Sequence, residues 1–231
     1  MTKKSLIFTA TYNEYPNIKI LLDKIDKLKL KLDILVIDDS SEDGTLEFLK
    51  KHSKKNFKFI VRKKKSGLDT AHKLAFRYAR NHKYNYLITM DADLSHEPKE
   101  ILKIIKLLRF NPFVIGSRYI LGGKCDLKGF RYFMSYFGNI FIKSFLNINS
   151  NEFTTSYRGF DLDKLKKLDV ENIKSSGYSF FMETVFLINK LNIKVLETPI
   201  HFQSRNSGNS KINKIEIFRT LFNVLRLKFF I

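Results

Sequence analysis

The sequence contains one cysteine, Cys125, and no tryptophan in 231 residues. A lone cysteine excludes an internal disulfide framework and any cysteine-built metal site, and it suits a reducing compartment. No run reaches the ~18 uninterrupted apolar residues of a spanning helix. The opening Met1-Thr2-Lys3-Lys4 passes into a short strand without the apolar region of a secretory leader. A soluble or peripheral cytoplasmic protein is therefore expected. The glycine fingerprint of dinucleotide dehydrogenases is missing after the first strand, and so is a P-loop, which argues against hydride transfer and ordinary nucleotide hydrolysis. There is no ribonucleoprotein aromatic motif and no Cys/His finger, so nucleic acid is not an expected partner.

Hydrophobic residues make up 44% and charged residues 28% of the chain, a globular rather than disordered balance. The length suits one large domain with a sizeable core. The net charge of +19 admits phosphorylated substrates or an anionic lipid surface, although most lysines, such as Lys24, Lys27, Lys50 and Lys51, read as solvated helix faces.

Short apolar runs alternate with helical periodicity. Leu6–Ala10, Ile34–Ile37, Phe57–Val61, a run from Tyr86 to Asp91, and Phe113–Gly116 read as strands. Ile18, Leu21, Leu22, Ile25 and Leu28 follow Pro16 at helical spacing, and further helices are expected near Asp43-Gly44, over 68–81 and after Pro98. This alternation predicts an α/β fold, a mostly parallel sheet flanked by helices. It fades after residue 120, where aromatic-rich helices and a late strand over 194–198 are expected.

Acids recur where strands end: Glu14, Asp38-Asp39, and Asp91 with Asp93. Ligands of open α/β sheets bind outside that edge. In an extended segment, side chains at i and i+2 point the same way, so Asp91 and Asp93 are candidate ligands for one hard cation. Helix capping is the competing role for an Asp or Ser at a strand–helix junction, and it weighs most for Asp43 and Ser95. Downstream, Arg118, Arg158, Arg205 and Lys211 supply groups that can clamp phosphate.

These pieces occur in family order: Ala10-Thr11-Tyr12-Asn13-Glu14, Ile37-Asp38-Asp39-Ser40-Ser41, Met90-Asp91-Ala92-Asp93-Leu94-Ser95-His96, Gly116-Ser117-Arg118-Tyr119, Gly177-Tyr178-Ser179-Phe180, and Pro199-Ile200-His201-Phe202 through Lys211. Together they resemble the inverting family 2 glycosyltransferases of the polyprenyl-phosphate sugar synthase group, of which dolichyl-phosphate mannosyltransferase is the nearest type. The resemblance implies a GT-A-like, Rossmann-like fold and a nucleotide-diphosphate sugar donor, GDP-mannose before UDP-glucose or UDP-N-acetylglucosamine. It implies that Ala10, Tyr12, Glu14, Ile37 and Asp39 line the nucleoside pocket. Asp91 and Asp93, with the Ala92 backbone beside them, would hold Mg²⁺ or Mn²⁺. Arg118, Arg205 and Lys211 would contact phosphates, with Asp93 and Arg118 closest to the reaction, and Arg131 and Arg158 are further candidates for the acceptor phosphate. Departures stand at Ala10 (usually Pro), Asp69 (usually Gly), Glu152 and Thr155 (for Asp and Gly) and Phe181 (for Gln).

A polyprenyl-phosphate acceptor is already anionic and needs no general base, so charge neutralisation is the main task. Two aromatic and basic segments, 130–146 and 212–231, are candidates for contact with a membrane surface. The expected organisation is a catalytic domain over 1–211 and a C-terminal amphipathic helix over 212–231. The chain would be peripheral on the cytoplasmic face or held by a membrane-anchoring partner protein. A saccharide acceptor is the alternative, with Glu183 as its base, and a non-catalytic scaffold is a third reading that the Asp91/Asp93 pair argues against.

Overall fold

Strands β1 (Ser5–Thr11), β2 (Asp33–Asp38) and β4 (Tyr86–Thr89) are almost wholly buried. Their near-continuous apolar character is that of strands covered on both faces. A computed structural model describes residues 3–52, 54–204 and 214–230. It adds β3 (Phe57–Val61), β5 (Phe113–Ser117), β7 (Arg158–Asp161) and β8 (Leu196–Pro199) to a seven-stranded sheet of order β3-β2-β1-β4-β7-β5-β8. Strand β7 runs antiparallel to both neighbours, β4 and β5, and every other pair is parallel. A two-stranded parallel ribbon, β6 (Lys124–Cys125) with β9 (His201–Phe202), stands beside the sheet.

Side chains alternate across the sheet with period two. Ile7, Ile34 and Val36 face one core layer, built with α1 (Tyr15–Lys27), α2 (Thr45–Lys51) and α4 (Glu100–Leu108). Leu6, Phe8, Leu35 and Ile37 face the other, with α3 (Leu68–Asn81), α5 (Gly129–Leu146), α6 (Tyr178–Lys190) and α7 (Lys214–Phe230). The expected α/β architecture is thus present, and β3 and α3 have the bounds the periodicity predicts.

Three expectations need correction. The fourth strand ends at Thr89, and the chain then bends, with Leu94 at φ 64°, so Asp91 and Asp93 lie on a turn rather than in extended chain. The late strand covers 196–199 rather than 194–198. Strand β7 was not foreseen, because Arg158-Gly159-Phe160-Asp161 has neither an apolar run nor a clean alternation. Gly159 is required there: a Cβ would stand 2.4 Å from Ile104 Cγ2 of α4.

On α3, His72 is buried against Phe8 and Phe181, each with ring centroids 4.9 Å away, and Phe180 at 5.7 Å. Burial, reinforced by the Arg158 charge, lowers its pKa from 6.5 to about 3. The unfolded chain then binds a proton that the folded chain refuses. Its contribution is intact above about pH 6.5 and is lost at about 1.4 kcal/mol per pH unit as pH falls toward 3. Urea unfolding between pH 7 and pH 4 should show this slope. His72→Phe should remove that part of it, and an unchanged slope would refute the assignment.

Candidate active site

The loops after β1 and β2 brace each other through the acids noted above. Asp38 is fully buried. It accepts the Thr11 hydroxyl at 2.7 Å, the Ser41 backbone N–H at 2.9 Å and the Ser41 hydroxyl at 2.6 Å. Asn13, at φ 57°, accepts Glu42 N–H at 2.9 Å and gives its own N–H to Ser41 Oγ at 2.8 Å. Asp43 accepts Tyr15 N–H at 2.9 Å and the Thr45 hydroxyl at 2.6 Å. Burial works against its charge, but the Thr45 hydroxyl and the backbone donors hold its pKa below the ordinary carboxylate value. Asp38 and Asp43 are therefore structural, in keeping with the polar-capping reading of such acids.

Asp39 faces the opposite way. Arg62 Nε donates to its Oδ1, and Ser66 N–H reaches Oδ2 at 3.1 Å. The same guanidinium holds Gly67 O at 2.9 Å and Thr70 Oγ1 at 2.5 Å, so Asp39 organises the loop that opens α3. Tyr12 is partly exposed, with Lys65 Nζ 4.2 Å from its ring centroid. Glu14 precedes α1 and accepts Asn17 Nδ2–H at 2.7 Å. Ala10 is half-buried beside Ile37, which is fully buried in the core. The Ile37 side chain thus supports this region from beneath and does not line its surface. Asp69, where a glycine was expected, accepts Gly177 N–H at 3.2 Å and ties α3 to the turn before α6.

At the end of β4, the Asp91 side chain is 31% exposed, while Asp93 is only 5% exposed as a residue. Ser156 donates its hydroxyl to Asp91 Oδ1 at 2.5 Å. Asp93 Oδ1 accepts Ser95 N–H at 3.1 Å and the Ser95 hydroxyl at 2.6 Å, so Ser95 serves this turn rather than capping α4. Ala92 is buried between the two acids. Burial holds the imidazole of His96 below its ordinary pKa, against the pull of Asp91 and Asp93.

Arg118 follows β5 directly and is nearly buried. Its Nε and Nη2 meet the two oxygens of fully buried Glu152 at 2.7 Å each, and Nη2 also reaches Thr154 Oγ1 at 2.8 Å. Despite its burial, Glu152 is held below its ordinary pKa by the Arg118 charge and hydrogen bonds. A guanidinium has five N–H donors. The Nη1 pair of Arg118 has no hydrogen-bond partner among the described residues.

The other basic candidates separate. Arg158 is 1% exposed and donates to three carbonyls, Thr155 O, Phe181 O and Phe153 O, each at 2.8 Å. Burial lowers its pKa to about 9. It is an internal brace for the 152–157 loop, not an acceptor contact in this arrangement. Arg131 is exposed on the first turn of α5, whose Tyr132, Ser135 and Tyr136 surround Tyr119. Arg205 and Lys211 lie outside the described residues. Glu183 is buried and bound by Ser175 N–H at 2.9 Å and by Arg226 of α7, which removes it as a surface base. Sequence reasoning missed Arg62, Ser156 and the role of His96; each acts across a contact between segments far apart in the chain.

Residues 6–169 match Glycosyl transferase family 2. The chain belongs to that family. It is 31% identical over 224 residues to the undecaprenyl-phosphate mannosyltransferase of Micrococcus luteus, covering 96% of this chain and 92% of that one. It is 29% identical over 228 residues to the polyprenol monophosphomannose synthase of Mycolicibacterium smegmatis, covering 96% and 86%. The fold matches glucosyl-3-phosphoglycerate synthase from Mycobacterium tuberculosis, solved with Mn²⁺, uridine diphosphate and glucosyl-3-phosphoglycerate, at TM-score 0.70 and 13% identity over 98% of this chain and 80% of that one. A Pyrobaculum calidifontis mannosyltransferase, solved with GDP-Man and Mn²⁺, matches at TM-score 0.56 and 19% identity over 86% of this chain and 55% of that one. This glycosyltransferase therefore has the GT-A-like sheet of metal-binding relatives.

Removing one partner of a buried pair leaves the other charge unsolvated, at about 3–5 kcal/mol. Glu152→Ala should destabilise the enzyme by that amount in chemical denaturation. A change below about 1 kcal/mol would show that the Arg118 charge is stabilised by other means.

Proposed function

We propose that this glycosyltransferase moves mannose from GDP-mannose to a polyprenyl phosphate, inverting the anomeric carbon. The observation that carries the reading is the relationship, over 96% of the chain, to the undecaprenyl-phosphate mannosyltransferase. An oxygen of the acceptor phosphate bonds to the anomeric carbon as that carbon's bond to the diphosphate breaks, and GDP leaves. The attacking group is already anionic, so no carboxylate base is needed. That agrees with Glu183 being enclosed by Arg226 and Ser175.

Asp91 and Asp93 are the candidate ligands for Mg²⁺ or Mn²⁺. Their oxygen-only donor set, on one turn beside the hydroxyls of Ser156 and Ser95, suits a hard divalent ion and lacks the soft ligands that select other metals. Such an ion would offset the charge of the leaving diphosphate. Tyr12, Glu14 and Asp39 receive the nucleoside, with Ala10 and Ile37 behind them. Arg118 offers its two Nη1 donors to phosphate, while Glu152 keeps the guanidinium in place. Arg131, Arg205 and Lys211 add positive charge for donor or acceptor.

The lipid tail needs an apolar surface. Along α5, Phe130 is 74% exposed, and Phe133, Phe137 and Phe141 are also exposed. Along α7, Phe218, Phe222, Phe229 and Phe230 are exposed, with Arg219 and Lys228 beside them. The helices meet where the Phe145 and Phe229 rings lie 6.1 Å apart. Among the described residues no helix is long and apolar enough to cross a membrane. Aromatic and basic surfaces of this kind sit in the headgroup region. In this reading the α5–α7 face lies against a bilayer, next to the acceptor and on the cytoplasmic side, and any anchoring protein would add to this contact.

The test is transfer of radiolabelled sugar to polyprenyl phosphate with Mn²⁺, from GDP-mannose and separately from UDP-glucose. A mild-acid-labile mannolipid is expected only from the first, with Asp93→Asn at least about 100-fold slower. A lipid product from UDP-glucose alone would overturn the donor, and saccharide labelling in its place would overturn the acceptor. Binding to vesicles containing anionic lipid should weaken about tenfold in Phe222→Ser, the loss of one inserted aromatic. Equal sedimentation of wild type and variant would remove α7 from the contact.

A further inference from the structure

Three hydrogen bonds, joined by the peptide link from Thr155 to Ser156, form a circuit that begins and ends on Asp91, and His96 is its centre. The imidazole is 1% exposed. Its Nδ1 accepts the Asp91 backbone N–H at 3.1 Å, so that nitrogen carries no proton and Nε2 does. Nε2 then donates to Thr155 Oγ1 at 3.2 Å. The next residue, Ser156, gives its hydroxyl to Asp91 Oδ1. One end of the imidazole thus fixes the main chain of Asp91, and the other end fixes the segment that holds the Asp91 carboxylate.

The ring itself cannot turn freely. It stacks on Tyr157 with centroids 4.8 Å apart and meets the edge of Phe202 at 5.6 Å. Its backbone forms an isolated antiparallel bridge with Phe202. Tyr157 is in turn fixed by its hydroxyl, which donates to Glu97 O at 2.9 Å. Packing alone would need only the ring, as His72 shows among its three phenylalanines. In His96 both nitrogens are used, and both connections return to the same acid.

We propose that His96 is a positioning residue that sets the Asp91 carboxylate for a divalent cation, acting through both ring nitrogens. The inference rests on the reading that Asp91 meets that cation. Partners one step behind a metal ligand typically change metal affinity by about 10- to 100-fold when removed.

The test uses the full chain with GDP and measures Mn²⁺ binding by calorimetry, alongside thermal unfolding. His96→Phe keeps a planar ring and loses both polar atoms, and its Mn²⁺ affinity should fall about 10- to 100-fold. In His96→Asn the side-chain oxygen stands near the place of Nδ1 while the link to Thr155 is lost, so only part of that loss should be recovered. Ser156→Ala opens the circuit at its other end and should weaken Mn²⁺ binding with little change in thermal midpoint. Should the wild type bind no Mn²⁺, the cation reading itself falls. If the wild type binds and a folded His96→Phe binds equally well, the cation reading stands and His96 is only a packing residue. Where His96→Phe does not fold, Ser156→Ala decides, and wild-type affinity in that variant overturns the proposal.

Discussion

Much of the site depends on the buried pair between Arg118 and Glu152. Glu152 accepts from Arg118 through both oxygens, and its Oε1 also receives Thr154 N–H and Thr155 N–H at 3.1 and 3.2 Å. That carboxylate therefore neutralises a cation and folds the loop that supplies Ser156 and Thr155 to the Asp91 turn. Arg158 completes the loop from below through the carbonyls of Phe153 and Thr155. Burying these charges is expensive, and it is tolerated because nearly every polar atom is matched. The outcome is a hydrogen-bonded polar layer between the apolar sheet and the Asp91–Asp93 turn, the arrangement a preorganised electrostatic site requires.

The two arginines show how burial divides chemically equal residues. Arg118 is hydrogen-bonded to an acid, which outweighs its burial, and its pKa is raised; Arg158 hydrogen-bonds only to carbonyls, burial outweighs the pull of the Glu152 charge, and its pKa is lowered. Both follow family motifs, and both looked like phosphate ligands in sequence. What separates them is β7, which draws Arg158 into the sheet while Arg118 stands just past the end of β5.

The strands and helices up to residue 117 were legible because apolar periodicity is a local signal: residues 57–61 and 68–81 have the expected bounds. The acids at the strand ends were legible by position, but their duties were not. Asp38 and Asp39 are neighbours in sequence, yet one closes its own loop and the other holds Arg62 from the next crossover. Asp91 meets a serine 65 residues away, and Arg118 meets an acid 34 residues away. Such partners are set by strand order, which periodicity does not encode. Strand β7 was missed for a related reason, since a buried Arg, a Gly under a helix and a buried Asp make sense only once the neighbouring strands are in place.

Strand β7 also decides which way a segment arrives. In a parallel sheet, each strand delivers the residues that follow it to the ligand edge and leaves the residues that precede it at the far side. Reversing one four-residue strand brings upstream residues to the ligand edge, so Thr155 and Ser156 land beside Asp91. Run in the parallel sense, the same strand would carry them to the opposite rim, about 13 Å away at ~3.3 Å per residue. Because β7 is short and buried along its whole length, this segment is also sensitive to indels. A single inserted residue would turn the pleat over, exchange the inward and outward faces, and displace the serine from the acid it holds.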